Sequence, residues 1–399
     1  MSVAYVFIVV AVIAMLYDFR KAVIAFAPIQ FILLMFEFPG MPVSPFEIIS
    51  VLIIGFFFFR TNSSDWKRLL KYPFIIGVFL TIVSIVGTNY FVAPHWPTSI
   101  LRFISGYVYP IVLWSRIEDK EDFQFLLKVM ILFAFVMSCY ILAEVTLGNN
   151  PFISYLISNN LVNGNVWDYT EVRFGLKRCQ GFLSTPASSG FFLGIFAVVL
   201  YAVSSAMGSY RKYMAPLVGL FGLCMLLSGT RSVIAASCVA WLVIIKKEAF
   251  QPKYMLLKVI LVMGLLALSG SYIVEIVDSF VNTDKVDGSN SDMRLNQLLI
   301  TLYFWANSPI WGNGSGFIWE FVKEVDEEIY GAESIWFQLL VDMGLVGAIA
   351  YLSCVISVIK PLVKRYKMWL FIPLGFLVGK TLSTVLGIDV SFLFVCGIM

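Results

Sequence analysis

The stretch "GAESIWFQLLVDMGLVG" (331–347) puts the acid Glu333 just before a long apolar run. A carboxylate so placed can take a proton from an attacking hydroxyl as a general base, or it can complement the positive end of a helix dipole. Basic residues gather in comparable positions: Arg102 in "TSILRFISGYVYP", Arg173, Lys177 and Arg178 in "EVRFGLKRCQGFLSTPASSG", Arg231 in "LLSGTRSVIAAS", and Arg294 in "SDMRLNQLLITLYFWANSPIWGNGSGF". The planar guanidinium fork bonds two oxygens at once and never loses its charge, so several of them on one face suit a diphosphate. An arginine near the end of a span also snorkels to lipid headgroups, but snorkelling would scatter such residues rather than gather them on one side. The glycines of "GNGSG" (312–316) either admit a ligand to the backbone or make a turn. No GK[ST] follows them, so they are not a phosphate-binding loop. Tyr303, Trp305, Trp311, Trp319 and Tyr330 are able to stack on sugars, although such residues ordinarily form the belt at a membrane surface. Lys285, Lys323, Glu324, Asp326, Glu327 and Glu328 read as a solvated loop face.

The elements that position these groups are membrane helices. The chain is 60% hydrophobic, 16% aromatic and only 13% charged, with a mean hydropathy of +0.88, outside the range of soluble domains. Apolar runs recur near 3–17, 23–38, 45–59, 73–92, 99–115, 125–147, 185–206, 214–228, 232–245, 255–275, 334–358 and 368–387, with a short apolar end at 388–399. That predicts an all-α, polytopic helical bundle of about twelve spans forming one domain over 1–399.

Orientation follows from the loops. Arg20, Lys21, Arg60, Lys67, Arg68, Lys71, Arg116, Lys120, Arg211, Lys212, Lys246, Lys247, Lys253, Lys360, Lys364, Arg365 and Lys367 all fall on one face, which is therefore cytoplasmic. The opposite face carries short loops without Lys or Arg and two long segments, 148–184 and 276–333, the second expected to hold short helices over the membrane surface. The N-terminus then lies outside. Residues 1–17 lack a basic n-region and a small-residue cleavage site, so the first span is expected to stay.

Several chemistries are excluded by composition. The net charge of +3 is explained by the loop bias and argues for no nucleic acid partner. The six cysteines lie mostly in apolar runs without CxxC spacing, and there is one histidine, so neither a disulfide framework nor a metal site is expected. No cofactor is implied.

Three stretches together resemble the O-antigen polymerase and O-antigen ligase superfamily of bacterial envelope enzymes. "RCQGFLSTPASSGFFLGIFAVVL" is similar to its Arg-x-x-Gly segment, followed by Pro and small residues at the start of a span. "SGTRSVIAAS" resembles its Thr/Ser-Arg-small turn between two spans. "MRLNQLLITLYFWANSPIWGNGSGF" with "AESIWFQLLVDMGLVGAIAYL" resembles its signature of Arg, Trp, Pro-x-x-Gly-x-Gly, a polar pair, Leu and Gly-x-x-Gly. The resemblance covers roughly 170–358.

That resemblance implies a multi-pass enzyme of the bacterial inner membrane, GT-C-like, with its active face periplasmic. The donor and acceptor it implies are oligosaccharides on undecaprenyl diphosphate, with membrane lipid around them and a chain-length regulator as a possible partner. Glu333, Arg294 and Arg231 are then the catalytic candidates, and Arg178, Arg102 and Arg173 the diphosphate-binding ones. Ligases of the superfamily usually carry histidine where this chain has Glu333, and polymerases vary there, so the glutamate favours a polymerase. A ligase is the neighbouring alternative. A flippase would call for matching halves, broken helices or charges near the membrane midplane, and no matching halves are visible.

Overall fold

A computed structural model describes residues 3–36, 43–60, 100–101, 104–162, 166, 168–173, 176–203, 211–248, 291–322, 333–365, 367–383 and 390–398. The expected spans at 73–92 and 255–275, and Arg102, Lys285, Lys323, Glu324, Asp326, Glu327, Glu328 and Tyr330, lie outside them. In chain order the helices are α1 (Val3–Tyr17), α2 (Phe19–Leu33), α3 (Pro45–Arg60), α4 (Tyr109–Arg116), α5 (Lys120–Leu147), α6 (Pro151–Ser158), α7 (Pro186–Val203), α8 (Arg211–Leu227), α9 (Arg231–Glu248), α10 (Ser291–Asn307), α11 (Ile335–Arg365), α12 (Phe371–Leu382) and α13 (Val390–Ile398). A π-helical turn, Ile104–Val108, leads into α4. The single sheet among the described residues is a two-residue hairpin, β1 (Val172–Arg173) against β2 (Leu176–Lys177).

Where they fall on described residues, the expected apolar runs are helical. The run expected at 23–38 is shifted: the helix spans Phe19–Leu33 because Asp18 caps it, accepting from the Lys21 N–H at 3.0 Å. A capping box between Asp119 and Asp122 likewise starts α5 at Lys120. Three described helices, Lys120–Leu147, Pro186–Val203 and Ile335–Lys364, are long and apolar enough to cross a membrane. The protein is a helical membrane protein.

Its centre is α7, of which 89% of the apolar span is buried in the bundle. Lipid tails are as apolar as leucine, so close packing rather than removal from water has to hold such helices together. Small residues make that packing possible. Gly190 of α7 lies against Ser228 and Val233, and Gly194 against Ser237 and Met225. On α12, Gly375 lies against Ala236 and Ala240, and Gly379 against the Phe191 ring. Each pair of glycines is spaced by four residues and therefore shares one helix face. Rings fill the remaining space: Phe192 packs on Phe31 at 5.2 Å and on Phe392 at 5.1 Å.

These contacts define the register. Passing from Gly190 to Gly194 along α7, the facing residues of α9 advance from Val233 to Ser237, so the two helices run parallel. Along α12 the direction is reversed: Gly375 sits at Ala236 and Ala240, whereas Gly379 reaches Phe191, the neighbour of Gly190. The starts of α7 and α9 and the finish of α12 therefore meet at one end of the bundle.

A side chain at Gly194 has no room beside Ser237 and Met225, whereas Gly219 on α8 has nothing within 4 Å of the place a Cβ would occupy. Overpacking costs about 1–3 kcal/mol or more. Gly194→Leu is expected to lower the thermal unfolding temperature of the protein in detergent, and Gly219→Leu to leave it nearly unchanged.

Candidate functional site

α11 is broken where its sequence reads "DMGLVG". Gly344 takes φ 62° and ψ −159°, which interrupts the helix between Met343 and Leu345. A break leaves N–H and C=O groups without intrahelical partners, and in an apolar interior each must find another partner in the protein. The loop after α10 supplies them. Leu345 and Val346 donate to the carbonyls of Pro309 and Ile310 at 3.0 and 3.1 Å, and the carbonyls of Val341 and Asp342 accept from the N–H groups of Asn313 and Gly314 at 2.9 Å each. The Asn313 amide adds bonds to the Phe304 and Val341 carbonyls, both at 3.0 Å. Asp342, 1% exposed, accepts from the Gly316 and Ile318 N–H groups at 2.9 Å each.

The glycines of the 312–316 run thus admit a backbone, and that backbone belongs to α11. A Cβ on Gly312 (φ 81°) would strike the Asp342 peptide, and one on Gly344 would strike Ile310 and Gly312. A broken helix is a feature expected of a transporter, but these exposed groups are bonded to the chain itself.

The clamp fixes the end of α11 at which Glu333 lies. Ser334, not Glu333, occupies the capping position, its Oγ accepting from the Trp336 N–H at 3.4 Å. The Glu333 carboxylate turns to α10 and meets the Arg294 guanidinium at 2.8 Å. The Arg294 side chain is 40% exposed and that of Glu333 25%, so the pair sits at the edge of the bundle. Gln297, one turn along α10 and fully buried, accepts from the Glu333 N–H at 3.3 Å. Arg294 also reaches the Leu382 carbonyl at the finish of α12, at 3.5 Å. Trp336 donates to Thr381 Oγ at 2.8 Å and stands edge-on to Tyr351. Three elements converge here: the start of α10, the approach to α11 and the finish of α12.

Arg178 and Arg231 lie at a second place, around the turn that precedes α9. Cys179 N–H donates to the Leu227 carbonyl at 3.2 Å. Arg178, 8% exposed, bonds Glu171 at 2.7 Å, Thr230 Oγ at 3.0 Å and the Ser228 carbonyl at 3.4 Å, with the Tyr169 ring 5.8 Å from its guanidinium carbon. These partners tie the 178–181 segment to the "SGT" turn, where Gly229 takes φ 61°. Arg231 is the next residue and opens α9. Arg178 therefore braces the turn that leads into Arg231. Arg173 lies in the hairpin strand β1.

Behind Arg178 is a buried polar knot. Glu144, fully buried near the finish of α5, accepts from Lys177 Nζ at 3.2 Å and from the Gln180 and Gly181 N–H groups at 3.3 and 2.9 Å. Lys177 Nζ also meets Asp168 at 3.3 Å, and Asn150 donates to the Gly181 carbonyl at 2.9 Å. Burial, together with the Glu144 charge, pushes the neighbouring Cys179 thiol up to about 12.

Residues 216–352 match the family model described as O-antigen ligase. Over that stretch the chain is similar to the O-antigen ligase family. The matched stretch contains Arg231, Arg294, the 309–318 clamp and Glu333, whereas Arg173, Arg178 and Lys380 lie outside it. No curated protein matches the chain. Members of the superfamily are glycosyltransferase-type enzymes of polysaccharide assembly that act on lipid-linked glycans, which agrees with an acid and several arginines at one end of a membrane bundle.

Four buried ionisable groups that the sequence candidates do not include lie inside expected apolar runs: Glu47, Glu144, Asp342 and Lys380. Each lies inside an apolar run, and that alone is the signal that could have found it. What each one serves depends on partners distant in sequence.

Removing the Asp342 carboxylate strands the Gly316 and Ile318 N–H groups, and an unsatisfied buried donor costs about 1–3 kcal/mol. Asp342→Ala should therefore unfold in detergent at lower temperature than wild type. The Cys179 thiol should resist maleimide at pH 8 in folded protein and react once the chain is denatured, as read by mass spectrometry; ready labelling of the native protein would contradict the buried knot.

Proposed function

We propose that the chain is a surface-polysaccharide polymerase. It joins repeat units carried on undecaprenyl diphosphate at the periplasmic face of the inner membrane, by glycosyl transfer that needs no metal ion. The observation that carries this reading is Glu333, where the ligases usually have histidine, held 2.8 Å from Arg294 at the edge of the bundle.

In this reading the acceptor hydroxyl oxygen attacks the anomeric carbon of the growing glycan as its bond to the diphosphate oxygen breaks. The hydroxyl proton passes to Glu333, and the electron pair of the broken bond leaves on the diphosphate. A guanidinium has five N–H donors in a rigid fork, so Arg294 is able to hold the Glu333 carboxylate and meet a phosphate oxygen at once. Arg231 supplies a second fixed positive charge for the leaving group, in a preorganised setting that needs no rearrangement as charge develops. Arg178 acts mainly through the turn that bears Arg231. Arg102 and Arg173 remain the peripheral diphosphate ligands in the proposal. The bundle of about twelve spans is GT-C-like, with a chain-length regulator as the expected protein partner.

The second reading is a ligase that moves the finished glycan to lipid A core or another acceptor. The description of the matched family model favours it. Both readings are tested in a strain lacking the gene, complemented with wild type or Glu333→Gln and analysed by gel of the surface glycan. A polymerase predicts single repeat units without the gene and a ladder restored by wild type only, with the variant inserted at normal abundance. Loss of base catalysis should lower transfer by about 10²–10⁴-fold. Lipid-linked chains that still lengthen while core-attached glycan is lost would replace the polymerase with a ligase, and a ladder restored by Glu333→Gln would remove Glu333 from catalysis.

A further inference from the structure

α11 does not run straight through its break. At about 1.5 Å of rise per residue an unbroken helix would hold residues 336 and 351 about 22 Å apart. The rings of Trp336 and Tyr351 instead stand edge-on with their centroids 5.8 Å apart. A Cβ on Gly347 would strike the Met343 side chain, which a straight helix keeps a full turn away. The backbone at Gly344 (φ 62°, ψ −159°) is therefore an elbow. The first leg, 335–343, folds back beside the second, 345–365, and returns its start, next to Glu333, to the level of Tyr351.

α10 travels with this first leg. Arg294 and Gln297 meet Glu333 at one end, and the carbonyls of Phe304 and Val341 share the Asn313 amide at the other, so the two run side by side in the same direction. Hydrogen bonds seat this unit on α12. Arg294 reaches the Leu382 carbonyl at 3.5 Å, and the Trp336 indole N–H donates to Thr381 Oγ at 2.8 Å. Thr381 gives its own hydrogen to the Leu377 carbonyl at 2.8 Å, which leaves its oxygen to accept from the indole. A tryptophan of the membrane belt keeps its polar edge for the headgroups, whereas this one spends it between two helices. α12 in turn packs on α9, Gly375 lying against Ala236 and Ala240, and α9 opens with Arg231.

Resting on the function proposed above, in which Glu333 is the base, we infer that Trp336 is a positioning residue for that base, acting through its hydrogen bond to Thr381. It touches no reacting atom. Its indole clasps the folded-back leg, and α10 with it, against α12, so that Glu333 and Arg294 keep a fixed place relative to the helix that starts at Arg231. Glu333 stands only three residues before Trp336, so a displaced ring displaces the carboxylate. A misplacement of about 1 Å, even from a change remote from the chemistry, costs about 100-fold in rate.

The test follows lengthening of the undecaprenyl diphosphate-linked repeat unit, extracted from the strain lacking the gene, by the full chain in detergent. Thr381→Val removes the acceptor at similar volume, Thr381→Ser keeps it, and Trp336→Phe removes the donor. Thr381→Val and Trp336→Phe should each lower kcat by about 10- to 100-fold with KM for the donor unchanged. Thr381→Ser should turn over like wild type, and the double variant should be no slower than the slower single one, because both changes break the same contact. Thermal unfolding identifies the variants that are folded, and Thr381→Val keeps the test open if Trp336→Phe is not. Wild-type kcat in the single variants overturns the clasp, as does Thr381→Ser as slow as Thr381→Val, or a double variant slowed by the product of both. A rise in KM alone also overturns it, since these side chains would then be substrate contacts. All of these leave the proposed function standing. Failure of wild type to lengthen the unit removes the polymerase reading, and this inference with it.

Discussion

An interrupted helix in an apolar bundle must hand its orphan backbone groups to some other part of the chain, and the rest of the site depends on how α11 does so. The break at Gly344 is closed by the loop after α10, whose carbonyls take Leu345 and Val346 and whose N–H groups meet the Val341 and Asp342 carbonyls. Water cannot serve in hydrocarbon, so this exchange is obligatory. It locks α10 to the first part of α11. Arg294 and Glu333, far apart in sequence, become a pair because their helices share that clamp. The Gly-rich run and the later Gly-x-x-Gly are two halves of one joint, and the contact that forbids a Cβ at Gly312 is with Asp342, while the one at Gly344 is with the loop.

A second constraint is the close approach of α7, α9 and α12. Glycines four residues apart let backbones and small side chains touch, and dispersion over many such contacts compensates for the missing hydrophobic drive between lipid-bathed helices. The consequence is alignment. The antiparallel course of α12 against α9 brings Lys380 to the level of the Arg231 turn, and a slip of one turn, about 5.4 Å, would carry that charge away from it. The buried knot around Glu144 acts similarly on the other flank, holding Lys177 to Gln180 so that Arg178 can brace the turn.

An acid beside a guanidinium, with further cations held by protein contacts, is an electrostatic environment built before a substrate arrives. Preorganised dipoles and charges act most strongly where water is scarce, and they cost no reorganisation at the moment of bond breaking. A superfamily of membrane enzymes that handles lipid-linked glycans gains from placing such groups at the end of a bundle, where an anionic headgroup and an apolar tail can be accommodated at the same time.

Composition and periodicity alone determine that this chain is a helical membrane protein, because no soluble fold hides so much apolar surface. The polar residues that punctuate the runs are equally legible, and Glu333, Arg294 and Arg231 stand out by type and position. Start signals such as Asp18 and the Asp119–Asp122 box could also be read locally, since a cap involves neighbours three residues apart. What the tertiary structure decided is which groups meet. Ser334 takes the capping position and frees the Glu333 carboxylate to pair with Arg294; the "GNGSG" run receives a helix; Arg178 braces a turn; and Lys380, one charge in an apolar helix, comes level with that turn. Sequence spacing specifies faces within a single helix, but the distance between helices is set by packing, and in this protein the site is made between helices.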